Sequence, residues 1–519
     1  MNGAESMLQT LIANGVEVCF ANPGTSEMHM VSAIGAASGM RSILGLFEGV
    51  CSGAADGYGR MAGKPACTLL HLGPGLSNAS ANLHNARKAN SPVINLVGDH
   101  ATYHKEFDAP LTSDIISLAG PVSHWVRVSK DAASLPEDAR DAVVAANLKP
   151  GQVATLVVPA NCAWDESVAP LPEAAPVSCA EASQEAVSEA ARLLKNGESS
   201  ILLLANLALS DRAMALADQI SQKTGAALFC DTFTTRLPRG EGRVPLQRLG
   251  YFAEQATVQL DGVSQFIMVG TKAPVAFFAY PGKVGTFYPE GSTLHTLADV
   301  NENAEVALQQ LVDELDAGNL TPRRNKLSKP GLGEGPLNAE TIGKTFAQLM
   351  PPNSVVVDEA ATSGAYTYPM SEAAEPHDWL SLTGGSIGYG LPTAIGAAVA
   401  CPDRKIICLH GDGGAMYTIQ SLWTMARENL DICVVIFSNR KYQILQIELA
   451  RVGAQTMNKK TLDMLDLSNP DINFVELAKG MGVAAEKATT AAEFNRSFQA
   501  AMSEQGPRLI ELEIAGPAG

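Results

Sequence analysis

Strand-length apolar runs alternate with segments of helical spacing along most of the chain. Glu5 to Asn14 carries apolar positions at the period of an amphipathic helix, and Val16 to Phe20 is an apolar run that ends at Ala21-Asn22-Pro23-Gly24-Thr25. A helix is predicted near Met28–Ala37, then a strand Ser42–Phe47 ending on Glu48, a helix of small residues over Gly49–Met61, and a strand Ala66–His71. The turn Gly73-Pro74-Gly75 leads to a helix reaching about Lys88 and a strand Val93–Gly98. Strands and helices alternating at this spacing predict a parallel sheet covered on both faces.

The pattern breaks twice. Residues 166–182 are rich in Pro and Ala without periodicity, and residues 320–337 are rich in Pro, Gly and basic residues, so both read as linkers. Between them a helix through Ala190–Leu194 and strands at Ile201–Ala205, Ala227–Cys230 and Gln265–Gly270 make a second α/β unit. The expected domains are residues 1–165, 183–320 and 338–519, each an α/β unit built on a doubly wound parallel sheet. A chain of 519 residues fits roughly three domains of ordinary size.

The most informative stretch runs from His410 to Tyr442. The apolar strand Ile406–Leu409 enters Gly411-Asp412-Gly413-Gly414, a helical segment follows, and a second apolar strand, Ile432–Phe437, leads to Asn439. Glycines at a helix start let backbone N–H groups approach a phosphate, and a carboxylate there is a hard ligand for Mg²⁺. Parallel strands emerge on one edge of the sheet, so Asp412 and Asn439 can serve one metal. A Gly-Asp-Gly alone is a common tight turn; the flanking strands and the terminal Asn raise it to a diphosphate site.

Composition narrows the partners. With 46% hydrophobic and 18% charged residues and a net charge of −17, the chain has no basic excess with which to hold nucleic acid or an anionic membrane surface. No signal peptide precedes the first helix, and the apolar runs are far short of a membrane span. Nine scattered cysteines without a CxxC fit buried free thiols in a cytoplasmic protein.

Asn22-Pro23-Gly24-Thr25, Glu48 at a strand end, Gly73-Pro74-Gly75 after His71, and Gly411-Asp412-Gly413 with Asn439 together resemble the thiamine diphosphate-dependent decarboxylase and carboligase superfamily, over nearly the whole chain. That family includes benzoylformate decarboxylase and acetolactate synthase. The resemblance implies three α/β domains of the thiamine diphosphate-binding fold. The first would bind the aminopyrimidine, the third the diphosphate, in a homodimer or homotetramer with its sites between subunits.

By the same resemblance, Asp412 and Asn439 would hold Mg²⁺ with the carbonyl of Lys441. Gly413, Gly414 and Tyr417 would contact the diphosphate, and Glu48 would exchange a proton with the pyrimidine. Gly385 would offer its carbonyl to the pyrimidine, Ile387 would be the apolar wedge that bends the cofactor, and Thr362 and Ser363, with Glu359, would line the diphosphate or substrate side. The resemblance places His71 and Thr25 beside the substrate. The family's second pocket histidine is missing from Ala273–Pro281, His100 and His104 have the wrong spacing for the paired histidines of pyruvate decarboxylases, and the Trp-Gln pair usual in acetolactate synthases is absent after Tyr442. Glu448 falls in that substrate-lining helix. The middle segment shows no dinucleotide fingerprint, so FAD is not expected. The implied activity is decarboxylation of a small 2-oxo acid to an aldehyde; the alternatives are acetolactate-type carboligation and a non-catalytic cofactor-binding scaffold.

Overall fold

The computed structural model describes residues 1–454 and 456–514, so the last five residues of the expected third domain lie outside it. Three sheets organise the chain. The first contains β1 (Val18–Asn22), β2 (Arg41–Leu44), β3 (Ala66–Leu70), β4 (Val93–Asp99), β5 (Trp125–Val128) and β6 (Val153–Pro159) in the order β2-β1-β3-β4-β6-β5, all parallel. The side chains of β3, β4 and β6 are buried on both faces, as crossover helices on both sides require.

The middle sheet, β10-β8-β7-β11-β12, takes β7 (Ser200–Leu204), β8 (Ala227–Cys230), β10 (Gln247–Arg248), β11 (Gln265–Val269) and β12 (Thr293–Ala298). One strand of that segment leaves it. β9 (Leu237–Arg239) pairs antiparallel with β14 (His377–Ser381) at the edge of the third sheet. The remaining strands there are β13 (Ser354–Glu359), β15 (Ile406–Gly411), β16 (Ile432–Ser438), β17 (Ala484–Ala488) and β18 (Arg508–Glu513), in the order β17-β18-β16-β15-β13-β14-β9. The architecture is the expected three-sheet α/β fold.

First and third sheets meet through two helices of small residues, Glu48–Ala62 and Gly390–Ala400. A Cβ at Gly57 would stand 2.1 Å from the Thr393 carbonyl oxygen, and one at Gly396 would stand 1.9 Å from that of Ala54. The apolar residues of both helices belong to one continuous core with both sheets. Beside this crossing, the buried Asp56–Arg60 pair (2.7 Å) sends Arg60 N–H groups to the Ser381 carbonyl (2.7 Å) and the Thr383 hydroxyl (3.1 Å). A buried ion pair is tolerated when its remaining donors are satisfied in this way.

All nine cysteines are free thiols, and seven of them are buried. Among the described residues, no helix is long and apolar enough to cross a membrane.

Candidate active site

The C-terminal edge of the first sheet gathers the residues flagged there. Strand β2 stops at Leu44, three residues short of the expected end, and Glu48 opens the following helix instead of closing the strand. A carboxylate in the first helical turn meets the positive end of the helix dipole. Glu48 is 8% exposed; its Oε2 accepts from the Asn78 amide (2.9 Å), and a side chain at Gly75 would press on its Oε1 at 3.2 Å. The Gly73-Pro74-Gly75 segment is likewise not a free turn but the first turn of the helix Leu72–Lys88.

His71 precedes that helix at the end of β3. Its Nδ1 lies 2.9 Å from Oε2 of Glu27, which is wholly buried although nothing in the sequence pattern singles it out. Glu27 also accepts from the backbone N–H of Gly24 (2.7 Å) and the hydroxyl of Ser26 (2.8 Å). The arrangement needs two glycines: a Cβ at Gly24 would collide with the His71 ring (2.1 Å), and one at Gly98 with Glu27 Oε1 (1.7 Å). A carboxylate oxygen accepts, so the Nδ1–H of His71 donates to Glu27. Thr25 is exposed beside them. His100 and His104, following β4 on the same edge, pack against each other with ring centroids 5.5 Å apart.

On the third sheet, β15 and β16 run parallel with Gly411 opposite Phe437, which brings Asp412 and Asn439 together. Asp412 Oδ2 accepts from the Arg440 N–H (2.6 Å) and its Oδ1 from the Gly413 N–H (2.8 Å). Burial nevertheless pushes the carboxyl above its usual range, against those backbone bonds. Asn439 Oδ1 accepts from the Lys441 N–H (3.1 Å), while its amide donates to Ser363 (3.0 Å) and Gln443 (3.2 Å). Thr362 lies 3.4 Å from the same Gln443 oxygen. Gly413 is packed so closely under Tyr442 that a Cβ would stand 2.3 Å from the ring. Among the described residues, no three His, Cys, Asp or Glu side chains cluster as a metal site. A cation here would therefore rely on the Asp412 carboxylate, the Asn439 amide oxygen and backbone carbonyls, a hard oxygen set that fits Mg²⁺.

Between the two sheets runs the segment Gly384–Gly390. Glu359, at the end of β13, accepts from three successive backbone N–H groups, those of Gly388 (2.6 Å), Tyr389 (2.8 Å) and Gly390 (2.7 Å). It thereby satisfies the start of the Gly390 helix. His410 stands against it with Nε2 3.1 Å from Oε2. Burial opposes a charge on that ring, but the Glu359 carboxylate wins and holds His410 above its ordinary value. From the other side, Asn85 takes Ser386 by both its N–H (3.1 Å) and its carbonyl (2.8 Å), and His84 Nε2 approaches the Gly384 carbonyl (3.1 Å). Asn82 donates to the carbonyls of Gly49 (2.8 Å) and Gly388 (3.5 Å), so one side chain ties the Glu48 helix to this segment. Clamped at both ends, the segment leaves Gly385 and Ile387 exposed, and Tyr417 stands exposed against Gly388.

The C-terminal TPP-binding domain of the thiamine pyrophosphate enzymes matches residues 361–512, and their N-terminal TPP-binding domain matches residues 1–118. The two matches contain the Asp412–Asn439 turn and Glu48 and together cover just over half of the chain. The chain belongs to the thiamine pyrophosphate enzyme family. The "Putative acetolactate synthase large subunit IlvX" of Mycobacterium tuberculosis is 48% identical over the full length of both proteins. Benzoylformate decarboxylase of Pseudomonas aeruginosa is 27% identical over 97% of each chain. A thiamine diphosphate-dependent 4-hydroxybenzoylformate decarboxylase of Rhodococcus jostii superposes over 100% of both chains with a TM-score of 0.86 at 24% identity, a likeness of fold. As a thiamine pyrophosphate enzyme, the chain carries its cofactor-binding domains on the first and third sheets.

Proposed function

We propose that this enzyme decarboxylates a 2-oxo acid to an aldehyde, using thiamine diphosphate and Mg²⁺. The observation that carries the reading is the buried Glu48, oriented by Asn78 and tied through Asn82 to the Gly388 carbonyl of the third domain. Asp412, Asn439 and the Lys441 carbonyl would hold the metal. Gly413, Gly414 and Tyr417 would receive the diphosphate, with Thr362 and Ser363 beside it. Gly385 would accept from the pyrimidine's amino group, and Ile387 would hold the cofactor bent.

Thiamine diphosphate, when bound, supplies an electron sink for the carbanion left at the former keto carbon when CO₂ departs. Glu48 would exchange a proton with the pyrimidine nitrogen, which its enclosed carboxylate is placed to do. His71, fixed by Glu27 through Nδ1, would accept and return a proton at the substrate side, and Thr25 would donate a hydrogen bond to the substrate carboxylate. A proton delivered to the reacting carbon releases an aldehyde, which favours decarboxylation.

The 48% identity to the acetolactate synthase-like IlvX favours a second reading, in which a second 2-oxo acid takes the place of that proton. A panel of 2-oxo acids incubated with protein, thiamine diphosphate and Mg²⁺, with CO₂ release followed and products identified, separates the readings. Aldehyde alone supports decarboxylation, an acetohydroxy acid supports carboligation, and no CO₂ from any member overturns both.

A further inference from the structure

At the strand-start edges of the first and third sheets, opposite the edges that carry Glu48, His71 and Asp412, lies a cavity of about 670 Å³ where the three domains meet. Asn90 and Lys149, ahead of β4 and β6, line it from the first domain, Asn206, just after β7, from the second, and Arg404, ahead of β15, from the third. Its volume is that of a small-molecule site, and such sites favour domain junctions.

The charge of this cavity is the reverse of the chain's. The protein carries −17 overall, yet five cationic side chains line the cavity against three carboxylates. Arg236 and Arg404 share one of these, Asp378, at 2.9 and 2.7 Å. Arg243 shares Asp211 (3.1 Å) with Arg324 (2.8 Å), and Arg60 is paired with Asp56. Counting Arg324 and Asp56, which complete these pairs, leaves the excess of two unchanged. Lys149 is exposed and makes no ion pair among the described residues. The His377 ring adds no charge, since burial pushes it down to about 3. A cleft with two uncompensated cations draws a dianion.

The remaining polar groups suit hydroxyls. Asp403 is exposed and, among the described residues, has no cation within ion-pair distance, so its carboxylate is open to donors. Asn90 and Asn206, both with left-handed backbones (φ 53° and 51°), meet across the domain boundary, where the Asn90 amide donates to the Asn206 side-chain oxygen at 3.1 Å. Left-handed residues other than glycine are uncommon and collect at ligand sites, where they fix the direction of a side chain. No Phe, Tyr or Trp lines the cavity, so it offers no aromatic face on which a purine or an aryl group would stack.

We propose that this cavity binds a phosphate monoester of a polyol, a sugar phosphate, with Lys149, Arg236 and Arg404 holding the phosphate and Asp403 and the Asn90–Asn206 pair facing the hydroxyls. The site is separate from the catalytic groups, so it is tested by binding and not by turnover. Protein saturated with thiamine diphosphate and Mg²⁺, which keeps phosphate out of the cofactor site, is titrated by calorimetry at fixed ionic strength with glucose 6-phosphate, glucose, inorganic phosphate and adenosine 5′-monophosphate. Glucose 6-phosphate is expected to bind saturably, with a Kd below about 1 mM and at least about tenfold tighter than the other three. Lys149→Glu, at an exposed and unpaired position, and Arg236→Gln, which leaves Asp378 to Arg404, are each expected to weaken it by at least about tenfold while the ligand-free proteins melt like the wild type.

No saturable binding of glucose 6-phosphate, or an affinity unchanged in both variants, overturns the site. Inorganic phosphate or adenosine 5′-monophosphate binding as tightly as the sugar phosphate overturns the polyol ester as its ligand class.

Discussion

His71 Nδ1 and Glu27 Oε2 are 2.9 Å apart, and the carboxylate that fixes the ring is wholly buried while the ring is partly open. This relationship turns a strand-end histidine into one with a set tautomer and direction.

Glu27→Gln replaces the acceptor with an amide that can present either end to Nδ1. Turnover of the best 2-oxo acid is expected to fall by about tenfold to a hundredfold, while thiamine diphosphate affinity stays within about twofold. His71→Ala should produce a comparable loss. Unchanged turnover in both variants would remove His71 from the chemistry.

Glu48→Gln keeps the size of the side chain and its bond to Asn78. CO₂ release is expected to drop by at least about a hundredfold, with cofactor affinity, measured by circular dichroism titration, changed far less. Undiminished turnover contradicts the proton-exchange role.

Glu359 takes three backbone N–H groups at once, and each charge-assisted bond of this kind is worth about 1.5–3 kcal/mol. Glu359→Ala is expected to lower the melting temperature of the cofactor-free protein by several degrees and to weaken thiamine diphosphate binding, because the segment bearing Gly385 and Ile387 loses its anchor. Wild-type-like melting together with wild-type affinity would show that the Asn85 clamp suffices.

Dialysis against a chelator is expected to abolish CO₂ release and to release the cofactor, with activity restored by Mg²⁺ and thiamine diphosphate added together. Asp412→Ala should resist that restoration. Full activity in a metal-depleted sample would refute the metal assignment.

His377 is almost completely buried, and burial together with the nearby Arg239 charge pushes its ring down to about 3, though its Nδ1 bonds the Glu375 carbonyl. Because the unfolded ring takes a proton near its ordinary value and the folded one does not, the resulting stability is present above about pH 6.5 and is lost as pH falls toward 3. The loss is on the order of 4 kcal/mol over that window. His377→Gln is expected to flatten the acid side of a melting-temperature profile between pH 7 and pH 4. A variant profile parallel to that of the wild type would count against this linkage.

The alternation of apolar strands and helical segments determined the three-sheet α/β plan, because burial on both faces of a parallel sheet writes a continuous apolar run that a sequence cannot hide. Gly411–Gly414 with Asn439 was legible for the same reason: the register of adjacent parallel strands fixes which strand ends meet. Tertiary structure alone decided what surrounds them. Glu27 behind His71, the three N–H groups on Glu359, and Asn82 and Asn85 reaching from the first domain to the Gly384–Gly390 segment are contacts between residues from 29 to 306 positions apart. No local period encodes such contacts, since a buried polar side chain leaves the same mark in a sequence as an exposed one.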